Sequence, residues 1–350
     1  MGSPIAPVAP IALPCNQFDH FYRGGNRIGA LRGGPGGPMR PEEWLASTTT
    51  RYGQAPQGLS RLPDGRLLIE AIEADPVAWL GADHIDRYGS STEVLIKLLD
   101  LDQRLPVHLH PNRAFAGAHL GLVHGKTEAW YVLDAPAGAE VGVGFREAVS
   151  MSQLRDWVQD EDAEALLASL QRKQVKPGDA MLVPAGLPHS VPAGVFVLEL
   201  QEPTDLSILL EWREFDVDGR KDGHLGLGFE VVLDAVDRSA TSATDLDELT
   251  LTREQIDASG LRSALPTRAD PYFRIHRIQS NAGPVTVDAG FGVLLVLDGE
   301  GTLRTEAGSM DLARGMAVLM AHASGPWAVD GDVIAMACRP PAPDAPVGAP

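Results

Sequence analysis

The chain is nearly without cysteine. Of its 350 residues only Cys15 and Cys338 are cysteines, too few and too far apart for a disulfide framework or a cysteine-bound zinc. Any metal must therefore be held by histidines and carboxylates. No run of about 18 apolar residues is present, so no membrane-spanning helix is expected. The opening MGSPIAPVAPIALP has no charged segment ahead of its small, proline-broken apolar run, which does not suit a secretory leader and points to the cytoplasm. Basic residues are scarce as well: 29 stand against 47 acidic ones, for a net charge of −18. That balance argues against nucleic acid or an anionic membrane surface as a partner. The sequence does hold 44% hydrophobic residues, enough for two domains or one duplicated one. It also holds 10 histidines.

Two of these histidines lie in "LPVHLHPNR", Leu105 to Arg113. Residues i and i+2 of a strand point the same way, so His108 and His110 converge on one face, where neutral imidazoles can grip one cation. Further ligands are needed to make a site. "EVLIKLL", from Glu93 to Leu99, reads as a buried strand oddly interrupted by Lys97, and a loop with Gly117, Gly121 and Gly125 follows the histidines. "KTEAWYVLDA" then alternates as a strand with Glu128, Trp130 and Val132 on one face. From Ser150 to Lys173 the apolar spacing turns helical and predicts two short helices broken near Asp160 to Asp162. Strand and turn alternate again in "VKPGDAMLVPAGLPHSVPAGVFVLELQEP", which delivers His189 beside a turn. The chain is therefore mainly β, and small jelly-roll barrels place a ligand cavity in their mouths. His108, His110, Glu128 and His189 form a set suited to zinc or another divalent first-row ion. Their order along the chain is cupin-like.

An internal echo supports two such barrels. "PGDAMLVPAGLPH" from Pro177 aligns with "RGMAVLMAHASGP" from Arg314, and "EAWYVLDAPAGAEV" from Glu128 aligns with "GVLLVLDGEGTLRT" from Gly292. In the second copy Glu128 becomes Gly292 and His189 becomes Pro326, so the turns survive and the ligands do not. The expected division is a metal-binding unit over residues 1–268, with a helical insert at about 150–173, and a degenerate barrel without metal over residues 269–350.

The pieces "YRGGNRI", "EEWLAS", "LIKLLD", "VHLHPNRAFA", "GKTEAWYVLDA", "VKPGDAMLVPAGLPH", "VLELQEPTD" and "LGFEVVLDAV" resemble the type I mannose-6-phosphate isomerases, zinc-dependent cupins, and run through most of the chain in that family's order. The resemblance implies zinc ligands at His110, Glu128 and His189 and a substrate pocket holding Lys97, Lys126 and Glu199. Two positions depart from the family pattern. Pro106-Val107-His108 stands where Ser-Val-Gln is usual, exchanging a glutamine ligand for His108. Leu209 stands where the family has an arginine that handles substrate, leaving Arg113, Arg213 or Arg220 as candidates to replace it.

The implied activity is aldose–ketose isomerisation of a mannose-like sugar phosphate through an enediol-like intermediate. A bound cation would stabilise the developing oxyanion. Glu199 is the first candidate to carry the proton and Lys126 the second, with Lys97, Trp44, Arg113 and Arg213 as substrate contacts. The expected partner is a small sugar or sugar phosphate, and the oligomeric state is left open. The loss of polarity at Pro106 and Leu209 tilts this reading toward a changed or relaxed substrate, including an unphosphorylated sugar. The alternative class is a cupin that binds metal and sugar without turnover. The ionisable set Lys97, Lys126 and Glu199 favours the enzyme.

Overall fold

Short apolar or alternating segments broken by glycine and proline turns drive this chain into antiparallel strands. The computed structural model describes residues 8–346, whose strands form three sheets. Six strands make the first sheet, in the order Thr250–Leu251, Ala180–Val183, Glu128–Asp134, Phe196–Gln201, Leu95–Asp100 and Glu42–Leu45. The second, of five strands, runs Ile208–Leu209, His108–Leu109, His189–Ser190, Glu140–Phe145 and Leu170–Gln174. The fold is mainly β and cupin-like, as expected.

The eight-stranded third sheet is built on Arg274–Gln279, Gly292–Thr305, Ala317–Met320 and Trp327–Arg339. It reaches further back along the chain than Ala269. Gly260–Ser263 pairs with Arg274–Gln279, and Ile11–Ala12 pairs with Ala317–Met320, placing Ile11 opposite Leu319. The open backbone groups of an edge strand are satisfied by this distant segment. The internal echo is also visible as register: Glu128 lies opposite Val183, and Gly292 lies opposite Met320. One apolar core crosses between the sheets, joining Leu98, Trp130 and Leu200 to Ile275, Leu295 and Met336. The strand Glu128–Asp134 is consequently buried on both faces from Glu128 to Val132.

The helical insert is two helices, Met151–Asp160 and Ala163–Ser169, capped by the Ser150 and Asp162 side chains. Between them Glu161 takes φ 52°, which breaks the helical run. Leu154, Val158 and Leu166 share one core with Leu109 and Ile208 of the five-stranded sheet and the adjoining Val107, so the insert covers the barrel. No helix among the described residues is long and apolar enough to cross a membrane. Residues 1–7 of the proposed leaderless start lie outside the described residues.

The glycine loop expected after the histidines is in part a helix, Arg113–Leu120. Asn112 accepts the Phe115 N–H at 2.8 Å and Gly121 ends the helix at φ 66°. Gly125 then passes so close to the histidine segment that a Cβ there would lie 2.6 Å from the Pro111 carbonyl oxygen. The Lys126 N–H donates to that same oxygen at 3.0 Å, which fixes Lys126 beside His110. Asn112→Ala is expected to cost about 1 kcal/mol through the lost cap. Gly125→Ala is expected to cost about 2 kcal/mol, because backbone must shift to admit the methyl group. Denaturant midpoints check the order of the two.

Candidate metal centre and active-site cavity

The metal site begins as a cross-strand pair. His108 lies directly opposite His189 in the five-stranded sheet, and His110 follows two residues on. The three rings approach with centroids 4.2 Å apart for His108 and His189 and 5.0 Å from His110 to each. Every Nδ1 meets a backbone carbonyl: His108 that of Pro106 at 2.9 Å, His110 that of Leu206 at 2.7 Å, and His189 that of Leu187 at 2.9 Å. A carbonyl only accepts, so each Nδ1 carries the hydrogen and each Nε2 keeps its lone pair. The second nitrogen of a metal-bound imidazole is held in this way by its outer partner.

The free lone pairs face one another. One candidate ligand atom from each of His108, His110 and His189 lies within 4.8 Å of the others. Glu128 closes the group, with Oε2 2.9 Å from His110 Nε2 and Oε1 3.2 Å from His189 Nε2. Neither His189 Nε2 nor Glu128 Oε2 has a hydrogen-bond partner, although both are buried. Acceptor set against acceptor in a dry pocket is costly without a cation. Lys126 Nζ supplies one positive charge, 3.0 Å from His110 Nε2 and 3.4 Å from Glu128 Oε2. Burial and the two neighbouring rings hold His108 well below its ordinary pKa. Burial and Lys126 push His110 down to about 3. Both rings are thus neutral, the form that ligates. The donor set fits a divalent metal ion.

A row of side chains across the six-stranded sheet continues the site. Register places Trp44, Lys97, Glu199 and Trp130 side by side on successive strands. Lys97 Nζ lies 3.3 Å from Glu42, 3.5 Å from Asp205 and 3.8 Å from Glu199, and 4.5 Å from the centroid of the Trp44 ring. Burial would lower its pKa, but these carboxylates outweigh burial and raise it, so Lys97 remains an ammonium. Glu42 receives hydrogen bonds from Tyr22 and, at 2.6 Å, from the Trp44 indole. The Trp130 indole N–H lies between Glu128 at 3.1 Å and Glu199 at 3.3 Å. Burial, then the Glu128 charge, pushes Glu199 up to about 8.

Lys97, Lys126, Glu199, His108 and Glu128 line one cavity of about 570 Å³. Leu209 and Pro106 line it too. Trp44 is fully buried and supports Lys97 from behind rather than lining this space. Arg113 and Arg213 do not reach the cavity. Arg113 donates to Glu202 at 2.5 Å and lies over the Tyr272 ring, while Arg213 is exposed and donates to the Asp160 carbonyl at 3.0 Å. Arg220 is directed to Glu161, 3.5 Å away on the surface. The further cations that do line the cavity are Arg51 and Lys221. Neither lies in a segment whose pattern marks it, because a turn arginine and an exposed helix lysine read as solvated. Glu42 had a clearer signal, two residues before Trp44 on one strand face and opposite the strand that buries Lys97.

No protein-family model matches the chain. It is 29% identical over 289 residues to a mannose-6-phosphate isomerase of Streptococcus mutans, covering 79% of this chain and 83% of that protein. It is 34% identical over 146 residues to a mannose-6-phosphate isomerase of Bacillus subtilis, covering 41% of this chain and 45% of that protein. The fold is similar to the crystal structure of a mannose 6-phosphate isomerase from Bacillus subtilis, with a TM-score of 0.70 at 24% identity over 95% of this chain and 99% of that one.

The Lys97 cluster yields a stability test. Lys97→Met leaves the Glu42 and Asp205 carboxylates without their shared cation, and is expected to cost about 3 kcal/mol or more at pH 7. Uncompensated carboxylates bind protons more tightly in the folded chain than in the unfolded one. Lowering the pH to 5 therefore neutralises them in the folded state first and shrinks the difference from the parent protein. Urea melts of both proteins at the two pH values measure it.

Proposed function

We propose that the chain belongs with the mannose-6-phosphate isomerases it resembles and is a metal-dependent sugar phosphate isomerase that interconverts a mannose-like aldose phosphate and the corresponding ketose. The observation that carries this reading is one cavity lined by His108 and Glu128 of the metal centre together with Glu199 and Lys126. The metal we assign is zinc, held by His108, His110, Glu128 and His189, a nitrogen and oxygen set that other divalent first-row ions also accept. When bound, such an ion supplies Lewis-acid stabilisation of charge on a substrate oxygen.

The protein's own groups handle the proton. Isomerisation takes a proton from one of C1 and C2 and returns one to the other, with hydroxyl and carbonyl exchanging places. Glu199, whose proton affinity is raised to near neutrality, is suited to take and return it. The Trp130 N–H fixes its carboxyl group, and Lys97 holds it from the other side. Lys126 is the second proton carrier, placed to hydrogen-bond a substrate oxygen beside the imidazoles. Trp44 acts through Lys97 as a positioning residue.

Arg51 and Lys221 are assigned to the phosphate in place of the guanidinium missing at Leu209, because a dianion needs paired donors. One observation favours a second reading, a sugar without phosphate: Asp216, Asp218 and Asp222 line the cavity near Lys221 in the chain, and Leu209 and Pro106 add no polarity. The C-terminal unit is assigned no metal. A Cβ at Gly292, which stands for Glu128, would lie 2.9 Å from Cγ of the buried Arg339. A cytoplasmic location accompanies this reading.

Turnover of mannose 6-phosphate and of free mannose decides between the two substrates. The phosphorylated sugar is expected to have the larger kcat/KM. Arg51→Ala combined with Lys221→Ala is expected to raise its KM about tenfold or more while leaving mannose unaffected. Equal kcat/KM for both sugars, with no effect of the double substitution, would establish the unphosphorylated substrate instead. Glu199→Gln is expected to lower kcat at least about a hundredfold with the protein still folded.

A further inference from the structure

A second cavity, of about 430 Å³, opens where the N-terminal unit meets the C-terminal sheet. It lies at the far end of the strand Glu128–Asp134, where Tyr131, Val132, Leu133 and Asp134 line it, while Glu128 and Trp130 nearer the strand's start face the metal centre. Its apolar wall comes from both units, Tyr131 and Phe196 from the first and Leu297 and Ile334 from the second.

Its charge runs against that of the whole chain. Arg27, Arg253, Arg277 and Arg314 line it, against the carboxylates of Asp134 and Asp257, in a protein of net charge −18. Structural contacts account for only part of this positive charge. Arg27 is used up by Asp100 at 2.5 Å, Asp134 at 3.2 Å and the carbonyls of Gly194 and Val195. Arg277 is buried and bonds Asp257 at 2.7 Å and Gln279 at 2.8 Å. Arg253 turns to the same Asp257 at 3.4 Å, so one carboxylate serves two guanidiniums. Arg314 is exposed and forms no side-chain hydrogen bond or ion pair among the described residues. An apolar wall with two underused guanidiniums is the chemistry that recognises an anion attached to an apolar body.

We propose that this cleft is a second ligand site, separate from the isomerase cavity, and that it takes a small organic anion. The apolar body of such a ligand packs against Tyr131, Phe196, Leu297 and Ile334, and its phosphate, sulfonate or carboxylate group pairs with Arg253 and Arg314. A ligand seated there rests against the C-terminal half of the strand that begins with Glu128.

The test is fluorescence titration of the full chain with anilinonaphthalene sulfonate, using uncharged phenylnaphthylamine as control. One saturable site is expected, about tenfold or more tighter for the sulfonate than for the neutral probe. Phenyl phosphate and benzoate are expected to displace the sulfonate, and their relative strength identifies the preferred anion. Arg314→Glu and Arg253→Ala each weaken sulfonate binding about tenfold, with isomerase turnover and the denaturant midpoint unchanged. Absence of saturable binding, equal binding of the two probes, or sulfonate binding indifferent to both substitutions would overturn the proposal.

Discussion

Three hydrogen bonds from imidazole Nδ1 atoms to backbone carbonyls govern the rest of the site. By tying His108 to Pro106, His110 to Leu206 and His189 to Leu187, they choose the tautomer of each ring and turn three Nε2 lone pairs toward one another. Such convergence is unstable in a dry interior unless a cation joins it. Much of the surrounding architecture can be read as support for that constraint. The five-stranded sheet sets His108 opposite His189, the helical insert seals its outer side, and the crossing at Gly125 brings Lys126 against His110.

The neighbouring charges are arranged so that each carboxylate has a different proton affinity. Glu42 is held ionised by His20, Lys97 and two hydrogen-bond donors, despite burial. Glu199, a strand away, is raised by burial and by Glu128, and Lys97 only partly offsets this. Two similar side chains on one sheet thus differ in charge state: one anchors a cation, and the other is the group to which the proposed mechanism assigns the proton exchange. Burial of the strand from Glu128 to Val132 makes this possible, since charges taken out of water interact more strongly.

Much of this was legible in the sequence because the site is built from short local patterns. The pair His108 and His110, the alternating strand with Glu128 and Trp130, and the His189 turn each announce themselves within about ten residues. Lys97 stood out as a charge inside an apolar run. The unreadable parts depend on contacts between distant segments. Arg113 lies beside the histidine motif yet is drawn to Glu202, and Arg51 and Lys221 reach the cavity from segments with no distinctive pattern. The strand Ile11–Ala12 is too short to show an alternation, and joins a sheet built from the other end of the chain. The helix Arg113–Leu120 was obscured by its glycines, although Asn112 is a recognisable cap.

The central claim is that isomerisation depends on one divalent ion held by three imidazoles and Glu128. Metal content of the purified protein, followed with aldose–ketose interconversion before chelation, after it and after zinc is restored, tests that claim most directly. One divalent ion per chain, with turnover lost on its removal and regained on its return, is the expected result. Full turnover by metal-free protein would contradict the account.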